Sequence, residues 1–133
     1  MKTTKLPLTI LSILMIFLFS CQNKQQDSMN KENNQNFIVL VKYKTQPSKS
    51  EEAIEGLKKL IVEVKKEPHF VKIIMHVDPN DNSNILLYEE WNDENYYNGD
   101  HMGTSHLQNF MQNSRAFLAG PPEISQWKIE QEF

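Results

Sequence analysis

Arginine is nearly missing from this chain: Arg115 stands alone among 133 residues. With no basic stripe and a formal charge of −3, the sequence lacks the clustered cations that binding nucleic acid requires. Cysteine is as scarce. Cys21 is the only one, so an intramolecular disulfide is excluded. Gly56, Gly99, Gly103 and Gly120 each stand alone, and without a glycine-rich turn after a strand there is no cradle for a nucleotide or flavin phosphate. Metal-ligand spacing is lacking too. His101 and His106 are five positions apart, which does not stack them on a helix as an i, i+4 pair would, and no cysteine remains to help them. No internal repeat is visible.

The start of the chain is distinctive. Lys2 and Lys5 lead into a mainly apolar run from Leu6 to Phe19. It is shorter than the roughly 20 residues a bilayer-spanning helix needs, and the pattern predicts a secretory signal over residues 1–20. Leu18-Phe19-Ser20-Cys21 resembles the lipobox of bacterial lipoproteins, in which a small residue precedes a cysteine that is diacylated and becomes the new N-terminus. Lipidation accounts for a lone thiol in an exported chain, and acyl chains at about 0.8 kcal/mol per buried methylene hold a protein on one leaflet. The expectation is a cell-envelope lipoprotein anchored to a membrane without crossing it. Gln22 in place of an aspartate resembles sorting to the outer membrane in a Gram-negative cell. Removing residues 1–20 takes two lysines and no acid, moving the charge from −3 to −5. Residues 21–36, the lipidated cysteine followed by Gln, Asn and Lys, bury too little apolar surface to order and read as a flexible tether.

Residues 37–133 suffice for one modest core. Phe37–Thr45 is β-branched and aromatic and predicts a strand. Gln46-Pro47 breaks it, and Ser48-Lys49-Ser50-Glu51 fits a capping box. Ala53, Ile54, Leu57, Leu60, Ile61 and Val64 recur at helical spacing until Lys65-Lys66 and Pro68. Phe70–Asp78 and Asn84–Trp91 read as a hairpin around Asp78-Pro79-Asn80-Asp81-Asn82. In its second strand, Leu87, Glu89 and Trp91 share one face. Asp93–His101 suggests a short helical stretch. Thr104 or Ser105 then caps a helix with Leu107, Phe110, Met111, Phe117 and Leu118 inward, stopped by Gly120-Pro121-Pro122. Ile124–Glu132 predicts a last strand. The order β-α-β-β-α-β is the α+β, ferredoxin-like arrangement, whose second sheet face needs cover that another copy of the chain can supply.

Four pieces in order carry a resemblance: Lys44-Thr45-Gln46-Pro47 before a helix, Met75-His76-Val77-Asp78-Pro79, Leu87-Tyr88-Glu89-Glu90-Trp91, and His101 with Thr104-Ser105-His106-Leu107. Together they make residues 37–133 similar to the antibiotic biosynthesis monooxygenase family, including its quinol monooxygenase-like members, which form dimeric α+β barrels. The resemblance implies a homodimer that oxidises a small aromatic, quinol or polyphenol with O2 and uses no metal or flavin. Such chemistry needs a water-excluding pocket and a base. His101 and His106 are the candidate base or proton shuttle, with Glu89 to orient a histidine or the substrate and Trp91 as a wall for the ring. His76, Tyr43 and Tyr88 are further candidates to line the pocket. Two other readings stay open. One is a lipid-anchored module that binds a small apolar molecule without turnover. The other is haem binding or degradation, which relatives with a first-strand asparagine perform; here Val39, Val41 and Tyr43 occupy that region.

Overall fold

The computed structural model describes residues 36–133. The expected signal, Cys21 and all of the tether before residue 36 lie outside the described residues. No helix among the described residues is long and apolar enough to cross a membrane.

Strand β1 (Phe37–Lys44) leads into helix α1 (Ser50–Val64); β2 (Phe70–Val77) and β3 (Asn84–Trp91) form the hairpin. A short helix α2 (Glu94–Asn98), a 3-10 turn at His101–Gly103, helix α3 (Ser105–Asn113), a second 3-10 turn at Ser114–Ala116 and β4 (Glu123–Lys128) follow. The four strands form one antiparallel sheet in the order β2-β3-β1-β4. This is the expected ferredoxin-like α+β fold, with β1, the first strand made, between its partners β3 and β4.

Period-two alternation decides what each face of the sheet carries. The inner face presents Val39, Val41, Ile85, Leu87 and Trp91, all buried, toward Ala53, Leu57, Leu60 and Val64 of α1. Each such side chain taken fully out of water contributes about 1.5–3 kcal/mol. Gly56 lets α1 approach closely, since a Cβ there would meet Phe117 Cζ at 2.9 Å. His76 and Tyr88 fall on the opposite, outer face: they pair in register with Leu86 and with Leu40 and Ile74. Their expected place in a pocket is therefore corrected by strand alternation. On that outer face Lys72 Nζ lies 5.5 Å from the Tyr88 ring centre and 3.0 Å from Glu90.

Two local details depart from expectation. The capping box does not form: α1 begins at Ser50, Lys49 occupies the cap with no side-chain hydrogen bond, and Ser48 adopts φ 63°. Ser50 Oγ instead donates to Asn82 Oδ1 and pairs with Thr45 Oγ1, each at 3.2 Å, tying the helix start to the sheet. The last strand is also shorter than Ile124–Glu132, and all its residues are exposed.

Candidate functional site

Between the inner face of the sheet and helices α1 and α3 lies a cavity enclosing about 70 Å³ open to the centres of water molecules. Val41, Leu60, Ile73, Leu87, Phe110 and Leu118 make its wall mostly apolar, and Glu89, His101, Tyr43 and Tyr97 supply polar groups.

His101 reaches the cavity because of the segment before it. Asp93 accepts a hydrogen bond from the Tyr96 backbone N–H at 2.9 Å and so caps α2, satisfying one of the donors a helix start leaves open. That single turn sets Tyr97 under the His101 ring, stacked at 5.0 Å and 21°. Trp91 flanks the same ring at 4.7 Å.

The group that orients His101 is Glu67, which follows the end of α1. Pro68 and His69, the latter at φ 68°, turn the chain toward β2. The Glu67 side chain is buried, and its Oε2 accepts from His101 Nδ1 at 2.8 Å and from the Tyr96 hydroxyl at 3.1 Å. Its Oε1 pairs with His106 Nε2. An ionised carboxylate only accepts, so Nδ1 of His101 carries the proton of that bond and Nε2 is left as the acceptor of the neutral ring. The two histidines that spacing kept apart in sequence thus meet on one carboxylate.

Glu89 is the second ionisable group on the cavity. It accepts from Trp91 Nε1–H at 3.2 Å. Its carboxyl is pushed up to about 7 by burial, which outweighs the opposing Trp91 hydrogen bond and is aided by the negative charge of Glu67. Burial, reinforced by Glu89, also holds the Tyr43 and Tyr97 phenols above their usual range. A carboxyl poised near neutrality and a clamped imidazole at one apolar cavity are groups suited to moving protons.

The raised carboxyl has a measurable effect. Folding favours the acid form of Glu89, so the stability it contributes is fully present below the unfolded value of 4.5 and lost as pH rises through about 7. That difference amounts to roughly 3 kcal/mol. Urea unfolding at about pH 5 and about pH 8 should show wild type losing stability and Glu89→Gln losing distinctly less. Equal losses in both chains would assign the effect to other groups.

Residues 36–113 match the model of the antibiotic biosynthesis monooxygenase family. The chain belongs to this family. No curated protein matches the chain. Among solved structures, a protein of Pseudomonas aeruginosa is 20% identical with a TM-score of 0.66, the match covering 73% of this chain and 96% of that one. A conserved protein of Methanosarcina mazei is 22% identical, also with a TM-score of 0.66, over 72% and 94% of the two chains. An antibiotic biosynthesis monooxygenase is 17% identical with a TM-score of 0.65, over 71% and 99%. These likenesses extend to the fold.

Within this antibiotic biosynthesis monooxygenase domain, the expected residues separate into groups. His101, Glu89 and Tyr43 line the cavity. His106 reaches it only through Glu67 and itself lines a groove between α1 and α3. Trp91 is fully buried and is not part of the cavity wall, so it supports Glu89 and His101 from behind and offers no platform for a ring. Sequence reasoning missed Glu67 and Tyr97. Between Lys66 and Pro68, Glu67 looks like one more solvated charge at a helix end, and only its tertiary partners distinguish it.

Proposed function

We propose that the domain is a monooxygenase that oxidises a small phenol, quinol or polyphenol with O2, without metal or flavin, and that His101 is its base. The supporting observation is the His101 ring, held by Glu67 through Nδ1 and set on an apolar cavity with Nε2 free to accept. A phenolic hydroxyl at that end of the cavity gives its proton to Nε2. The resulting anion passes an electron to O2, and one oxygen atom ends on the ring while the other leaves as water; a quinol and O2 become a hydroxyquinone and water. The apolar wall keeps bulk water from the anion, and Glu89 is placed to hold a second hydroxyl.

The test is oxygen uptake across a panel of quinols and polyphenols with no added cofactor. His101→Gln should lower kcat about a hundredfold, in the range expected for losing a general base. A wild-type chain that remained folded yet consumed no oxygen with any of them would leave a binding module as the better reading.

The proposal includes the setting. Cys21 carries the lipid that tethers the domain in the cell envelope, and a second copy covers the outer sheet face, where Ile74 and Trp127 are 43% and 56% exposed. Palmitate labelling that survived Cys21→Ser, or sedimentation as a monomer, would remove the respective part.

A further inference from the structure

A proton taken up by His101 must leave again before the next turnover. His101 is 5% exposed, and the side chain of Glu67 is equally buried. His106, on the other oxygen of the same carboxylate, has a side chain 22% exposed and borders the groove between α1 and α3. That groove also carries Glu52, Glu55, Lys59 and Glu63. From cavity to groove there is thus a continuous file of hydrogen-bonded titratable groups, His101, Glu67 and His106, with no gap that a water must fill.

We infer that this file is a proton relay linking the cavity to the outer groove, with His106 as its exit. It rests on the reading of His101 as the base. At the start His101 carries its proton on Nδ1, Glu67 is a carboxylate, and His106 carries protons on both nitrogens. A proton from the substrate hydroxyl arrives at His101 Nε2 as the Nδ1 proton moves to Glu67 Oε2, and His106 Nδ1 releases its proton to water. His101 and His106 are then neutral, Glu67 is the acid, and both hydrogen bonds to the carboxyl are intact. The three groups hold three protons before and after, so one enters from the cavity and one leaves through the groove. Glu67 and His106 act through His101 and are positioning and relay residues. Glu52, Glu55 and Glu63 on the rim of the groove offer carboxylates to carry the released proton away.

Proton traffic along the file is readable without turnover. In the full chain with 15N-labelled histidine, the exchange of the His101 Nδ1 proton with water is followed by NMR in wild type, His106→Gln and Glu67→Gln. His106→Gln keeps an N–H toward Glu67 but has no second titratable nitrogen. The relay requires exchange to slow about a hundredfold or more in both variants, the scale at which a positioned acid–base group acts. A merely structural role predicts the opposite sign, because loosened packing quickens exchange. Unchanged or faster exchange in His106→Gln overturns the relay. So does oxygen uptake from methylhydroquinone at the wild-type kcat in His106→Gln. Slowed exchange in a wild-type background that consumes no oxygen would uphold the relay while sinking the monooxygenase reading.

Discussion

Glu67→Ala is expected to destabilise the domain by about 3 kcal/mol or more, a large part of the roughly 5–15 kcal/mol that holds a domain of this size folded. The cause is not a lost contact alone. Glu67 accepts from His101 Nδ1, His106 Nε2 and the Tyr96 hydroxyl, and its removal orphans the buried His101 donor among the rings of Trp91 and Tyr97. A buried donor without a partner costs about 1–3 kcal/mol, and the vacated space adds to this. His106, more exposed, recovers part of its loss through water. Urea unfolding of Glu67→Ala, His101→Ala and the double variant measures the coupling. If the single losses simply added, the pair would not act as a unit and the clamp on His101 would be refuted.

Trp91→Ala should cost about 3–5 kcal/mol, the range for deleting a large aromatic from a core. Its ring is fully buried, meets Phe70 edge-on at 5.9 Å and Tyr97 at 5.5 Å, and leans on His101. Trp91→Phe divides packing from hydrogen bonding. It keeps most of the ring surface and loses the Nε1–H that opposes the upward push on Glu89. The Glu89 titration should therefore move above about 7, followed through the side-chain carboxyl carbon by NMR. A Trp91→Phe chain with an unmoved Glu89 titration would show that the indole hydrogen bond takes no part in setting that carboxyl.

How much of this was legible in the sequence depended on distance along the chain. The alternation in Asn84–Trp91 and the apolar spacing of Ala53, Leu57, Leu60 and Val64 are local signals, and β3 and α1 follow them closely. The start of α1 misled because Ser50 finds better partners in Thr45 and Asn82 than in its own helix. Alternation also contained the placement of His76 and Tyr88, but nothing local says which face the helices will cover. The site was hardest to read. His101 and His106 sit on separate elements, joined by a glutamate more than thirty positions upstream, and no periodicity encodes a meeting of that kind.

The position of β1 carries a consequence for how the domain comes into being. Phe37 lies opposite both Trp91 and Lys128, so the first strand synthesised sits between partners that arrive midway and last. Until β4 has emerged, one edge of β1 stays open. Local contacts can form α1 and the β2–β3 hairpin early, but the closing step joins the two ends of the domain, and such long loops make closure slow. A chain cut short before Glu123 would keep its helices and its hairpin and expose a pairing-competent edge, the kind of surface on which unfinished chains find one another.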